Sequence, residues 1–323
     1  MPLHPDIEAF LELAEFSRLS GKSQPMHEMP VARARSEFEQ TSPLFDSDPP
    51  RALQVENLAY PARDGYPLRA RLYRKPEATS PQAALLFFHG GGYVVGSLDS
   101  HDALCRRLAL TGDFAVFSAD YRLAPEWRFP TAVFDALDSA NWLAEHASSL
   151  GLDNQRIAFA GDSVGASLAT VLAIHARQHP GKLALQPRAQ LLLYPVTDAS
   201  TWRASHAQHG EGRLLESDTL EWFYRHYMEE EAGRLDWRVS PLLTQDLQGL
   251  APAFVSLAEY DPLYDEGLAY AERLQAAGNE VVVRIHHGLT HDFMRMADLL
   301  ADVQDIRGEM ARWLTSKLGS IKV

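Results

Sequence analysis

Apolar positions change rhythm along this chain, and the change divides it. Near the start, Ile7, Phe10, Leu11, Leu13 and Ala14 recur at helical spacing, and Val31, Ala34 and Phe38 mark one face of a second helix over 27–40. Residues 41–50 carry three prolines and read as a linker. Short β-like runs follow at 53–60 and 68–73, with the hairpin pair Asp64-Gly65 between them. From residue 83 the apolar runs become continuous, at 83–88, 114–119, 156–160, 189–194, 254–258 and 281–285. Runs of that kind suit strands buried on both faces. Helical patterns at 103–110, 132–150, 164–178 and 266–277 separate most of them, and 296–318 reads as a closing helix. Strands alternating with helices predict an α/β fold with parallel pairing and helices on both sides of the sheet.

One interval breaks the alternation. More than fifty residues separate the run ending at 194 from the one starting near 253, far more than a crossover needs. The aromatic stretch 221–227 in its middle has helical spacing, so about 197–250 reads as an insertion with its own helix. An insertion leaving the carboxyl end of a parallel strand overhangs the edge where such sheets bind ligands. The expected organisation is therefore helices and linker over 1–50, then a main domain over 51–323 interrupted at 197–250.

Two short runs carry the candidate chemistry. Gly161-Asp162-Ser163-Val164-Gly165 follows one apolar run and opens a helix, the setting of a nucleophile elbow. His89-Gly90-Gly91-Gly92 follows another, where a glycine loop can present backbone N–H groups to an oxyanion. A serine hydroxyl needs a base within hydrogen-bond reach to become a nucleophile. By itself Ser163 also fits helix capping; the elbow already favours a nucleophile, and the glycine loop makes acyl transfer much the stronger reading. Such a site also needs an acid and a histidine, in that chain order. Asp261 follows the 254–258 run, with Glu259 and Asp265 as rivals. His286, His287 and His291 are the histidine candidates, and a loop position mildly favours His291 over His286. The remaining histidines, among them His175, His179, His206 and His209, read as solvent-facing or helix-surface residues.

Composition removes other classes. The net charge of -13 leaves no basic face for a nucleic acid. No apolar run approaches membrane-spanning length and no secretory signal is visible, so a cytoplasmic protein is expected. Cys105 is the single cysteine, which excludes an intramolecular disulfide; it reads as a packed thiol. The thirteen histidines show no paired metal spacing, and no metal or cofactor is expected.

The sequence resembles the hormone-sensitive-lipase-like branch of α/β-hydrolases, the bacterial family IV esterases. The blocks that carry the likeness are Phe88-His89-Gly90-Gly91-Gly92-Tyr93, Asp120-Tyr121-Arg122-Leu123-Ala124-Pro125-Glu126, Gly161-Asp162-Ser163-Val164-Gly165, Glu259-Tyr260-Asp261-Pro262-Leu263 and Gly288-Leu289-Thr290-His291-Asp292-Phe293. Val164 and Asp292 depart from the usual alanine and glycine. The resemblance implies an α/β-hydrolase fold, a mostly parallel sheet of eight strands with a helical cap made from the N-terminal helices and the insertion. It implies Ser163 as nucleophile, His291 as base and Asp261 as its carboxylate, with oxyanion donors at Gly91, Gly92 and Val164. His89 and the block 121–126 would support the oxyanion loop. The expected activity is hydrolysis of small carboxylic esters with short acyl chains, and a homodimer is an option because family members often dimerise. An amidase or lactonase would use the same machinery. A hormone receptor on this fold is disfavoured, because the receptors that resemble the family have lost the histidine retained here as His291.

Overall fold

The structure, a computed structural model, describes residues 1–78 and 81–319. Two helices come first, α1 (Pro5–Leu19) and α2 (Val31–Phe45). The sheet then starts with β1 (Gln54–Pro61) and β2 (Pro67–Arg74), and continues with β3 (Gln82–Phe88), α3 (Asp102–Thr111), β4 (Ala115–Ala119), α4 (Thr131–His146), β5 (Leu152–Asp162), α5 (Val164–Gln178) and β6 (Gln190–Leu193). The segment after β6, read from the sequence as an insertion, carries α6 (Ala204–His209) and α7 (Ser217–Tyr227). The chain ends with β7 (Ala253–Tyr260), α8 (Tyr264–Ala276), β8 (Val281–Thr290) and α9 (Val303–Leu318).

The eight strands form one sheet in the order β1-β2-β4-β3-β5-β6-β7-β8. The β1–β2 and β2–β4 pairs are antiparallel and the other five are parallel. Strand β3 explains why the sheet is covered twice. Ala84, Leu86 and Phe88 enter one core, shared with α4 and α5, while Ala83, Leu85 and Phe87 enter the other, shared with α3 and α9. Every residue of β3 is buried, so water competes for none of its ladder hydrogen bonds.

Several boundaries differ from the sequence expectation. The supposed linker begins as helix, since α2 runs on through Thr41 to Phe45 with Pro43 inside its last turn. That turn is docked: Ser42 Oγ accepts from Arg295 at 2.6 Å, and Phe45 accepts from Asp298 N at 3.0 Å. A proline so close to a helix end removes few hydrogen bonds, and the docking holds the turn. The closing helix starts at Val303, seven residues later than its apolar pattern suggests, and β8 extends to Thr290. His206 is buried, with Nε2 3.5 Å from Glu266 Oε2, rather than solvent-facing. Cys105 is buried, and burial pushes its thiol pKa up, as suits a packed thiol. Among the described residues no helix is long and apolar enough to cross a membrane.

Candidate active site

Strand β5 delivers Gly161 and Asp162 to the sheet's carboxyl edge, and Ser163 turns the chain into α5. Ser163 has φ +54 and ψ -122, a left-handed conformation that few non-glycine residues adopt. The strain persists because both neighbours are anchored: Ser163 N donates to Leu193 O at 2.9 Å, and α5 packs directly on β3. Asp162 reaches sideways. Its Oδ1 accepts from Gly90 N at 2.9 Å and its Oδ2 lies 3.2 Å from His101 Nε2. Burial alone would raise the Asp162 pKa, but the facing His101 holds it below the usual carboxylate value. The residue inside the elbow motif thus ties the turn to the glycine loop.

Asp261 stands one residue beyond β7 and His291 one residue beyond β8. The two strands are parallel neighbours, so their carboxyl ends lie side by side. His291 Nδ1 is 2.7 Å from Asp261 Oδ2, and its Nε2 is 3.1 Å from Ser163 Oγ. Burial would lower the His291 pKa; the charge of Asp261 and its hydrogen bond outweigh that, with Asp292 and Asp162 adding, and the net shift is upward. Tyr194, at φ +36, sets its ring edge-to-face on the imidazole with centroids 4.7 Å apart.

The rival residues lie elsewhere. His286 still belongs to β8, bonds Ser256 Oγ at 2.9 Å, and burial drops its pKa to about 4. His287 points to Glu259 at 3.3 Å, and Glu259 also accepts from Gly288 N. Asp265 accepts from Ser205 N at 2.8 Å and so holds α6.

Besides Asp162, two residues clamp the glycine loop. Tyr121 donates to His89 O at 2.8 Å, and its ring stacks on the His89 imidazole at 4.3 Å. Arg35 of α2 donates to Val94 O at 2.8 Å and Ala124 O at 2.7 Å while pairing with Glu126. Nothing in the sequence marks Arg35, since its partners lie about sixty to ninety residues away. Gly91, Gly92, Ser163, Val164 and His291 line a common cavity of about 60 Å³. Its walls include Met26 and Phe38 from the N-terminal segment and Leu215, Phe223 and Tyr224 from the insertion. Of the insertion's other rings, Tyr227 stacks on Tyr93 at 3.8 Å, Trp222 packs against Phe223, and Trp202 is exposed. A hydroxyl, an imidazole and a carboxylate in one hydrogen-bonded row, beside backbone N–H groups at a helix start, can carry acyl transfer through a covalent serine ester.

Such a sheet and such a site define an α/β-hydrolase. Residues 85–295 match the profile of a family described by its alpha/beta hydrolase fold. The chain is 48% identical over 312 residues to an ethyl acetate hydrolase from Pseudomonas putida, covering 94% of this chain and 96% of the relative. Among solved structures it resembles an ester hydrolase from the metagenome of Lake Arreo (TM-score 0.93, 35% identity, 98% and 100% of the two chains). It also resembles a hyperthermophilic esterase from the archaeon Pyrobaculum calidifontis (TM-score 0.90, 37% identity, 98% and 99%). The chain belongs to the hormone-sensitive-lipase-like family of α/β-hydrolases, a family of carboxylic ester hydrolases.

Proposed function

We propose that this protein hydrolyses carboxylic esters of short acyl chains through an acyl-enzyme on Ser163. The observation that carries the proposal is the unbroken row Ser163 Oγ, His291 Nε2 at 3.1 Å, and Asp261 Oδ2 at 2.7 Å from Nδ1. Ser163 Oγ attacks the ester carbonyl while His291 takes its proton. Asp261 keeps the Nδ1 proton facing itself, so Nε2 is free to accept, and it stabilises the imidazolium that forms. The carbonyl oxygen, now negative, is met by the N–H groups of Gly91, Gly92 and Val164. The start of α5 adds its partial positive charge there. His291 then returns the proton to the leaving alkoxide, and water repeats the sequence on the acyl-enzyme.

The size of the cavity supports short acyl chains. A cavity of about 60 Å³ holds only a handful of heavy atoms, at roughly 10–15 Å³ for each water-sized group. The N-terminal helices and the insertion act as the cap that sets this limit, and the relative named for ethyl acetate hydrolysis agrees with it. Ser163→Ala tests the proposal. Hydrolysis of p-nitrophenyl acetate and labelling by a fluorophosphonate should both vanish while the thermal melt stays in place. Loss of a triad member typically costs several orders of magnitude, so activity within about tenfold of the parent would refute the assignment.

A further inference from the structure

Asp292 stands where the family usually has glycine, and its carboxylate lies beside the reacting atoms. It adopts φ +65 and ψ +5 and lines the same cavity as Ser163 and His291. Its Oδ2 pairs with Arg295 at 3.1 Å. Arg295 is buried, bonds Ser42 Oγ at 2.6 Å, and has its guanidinium 4.6 Å from the Phe38 ring centroid. The carboxylate is therefore fixed rather than mobile. Its Oδ1 lies 4.0 Å from His291 Nε2, the nitrogen that faces Ser163. Among the described residues that oxygen accepts no hydrogen bond, and the side chain is 24% exposed.

We propose that Asp292 is a specificity-determining residue on the leaving-group side: Oδ1 accepts a hydrogen bond from a hydroxyl on the carbon adjacent to the one that bears the ester oxygen, so monoesters of 1,2-diols are favoured over esters of simple alcohols. This rests on the ester-hydrolase reading above. The leaving oxygen must come within hydrogen-bond reach of His291 Nε2 to receive its proton. A vicinal hydroxyl lies one hydrogen-bond length further along, which spans the gap to Oδ1. A bond from a neutral donor to a fixed carboxylate is strong. A site with such an acceptor discriminates against an analogue whose donor is blocked, because the acceptor loses its partner.

The test compares kcat/KM for 2-hydroxyethyl acetate and 2-methoxyethyl acetate, whose leaving alcohols have nearly equal acidity, with propyl acetate as reference. Asp292→Asn and Asp292→Gly serve as variants, because both residues tolerate this left-handed backbone. The parent should prefer the hydroxyethyl over the methoxyethyl ester by about tenfold or more. The ratio should fall partway in Asp292→Asn and to near one in Asp292→Gly; it is taken within each variant, so a change in overall turnover that affects both esters alike cancels. A parent ratio within twofold of one overturns the proposal, as does a ratio unchanged in Asp292→Gly. Failure of the parent to hydrolyse any of the three esters would instead overturn the ester-hydrolase reading.

Discussion

Replacing Gly165 by alanine probes how backbone packing holds the site together. Neither of its closest neighbours is a side chain. A Cβ at this position would overlap the Phe88 carbonyl and lie 2.6 Å from His89 O, whereas ordinary contact begins at 3.4 Å. Clearing His89 O alone requires the helix start to retreat by about 0.8 Å, and clearing the Phe88 carbonyl requires more. Strand β3 cannot yield instead, because it is hydrogen-bonded to β4 on one side and β5 on the other. The retreat carries Ser163 and Val164 away from the glycine loop and lengthens the 3.1 Å contact with His291. A misplacement near 1 Å costs about a hundredfold in rate, and overpacking of this kind costs about 1–3 kcal/mol of stability. The expected outcome is a kcat lower by about two orders of magnitude on p-nitrophenyl acetate, and a melting point lower by about 2–6 °C. Gly308→Ala is the control. It lies in α9, and its Cβ would meet only the flexible end of Arg312 at 3.3 Å. It should leave activity unchanged and stabilise by about 0.5–1 kcal/mol. Activity of Gly165→Ala within threefold of the parent, with an unchanged melting point, would refute the argument that this contact positions the serine.

Three further outcomes follow from the same geometry. His291→Ala should abolish turnover, while His286→Ala and His287→Ala retain it. A dead His287→Ala with an active His291→Ala would reverse the histidine assignment. The base must be neutral, and its pKa is raised, so kcat/KM should fall as pH drops through a value above the histidine reference of about 6.5. A flat profile from pH 5 to 8 contradicts a histidine base. Phe223→Ala removes a phenyl ring from the cavity wall over Gly92. Each methylene newly admitted contributes about 0.8 kcal/mol, roughly fourfold in kcat/KM. The acyl-length optimum across p-nitrophenyl acetate, butyrate, hexanoate and octanoate should therefore move up by about two to four carbons. An optimum that does not move means that another wall sets the limit.

The sequence by itself determined the alternation of strands and helices, the doubly buried strands, and the two glycine-bearing turns. These are local properties: side-chain periodicity and a turn's need for glycine are written in consecutive residues. The long interval between β6 and β7 was legible too, because a sheet of this kind has no ordinary crossover of that length. The residues alone left three histidines and three acids open, with only a mild preference for His291 over His286, and the family likeness narrowed them. In the tertiary structure the candidates differ in direction. His286 and His287 leave β8 on opposite sides, toward Ser256 and Glu259, whereas His291 lies past the strand's end and is free to turn toward Asp261 and Ser163. Other features depend wholly on the tertiary fold: the Arg35 clamp on the glycine loop, the Asp292–Arg295 pair under α2, and the size of the cavity. Each is a through-space distance between segments tens to hundreds of residues apart, except Asp292–Arg295, whose docking still needs Ser42 from α2. A one-dimensional pattern encodes which face a residue presents, but not what it meets there; that is fixed only when the sheet's edges, the N-terminal helices and the insertion close on one another.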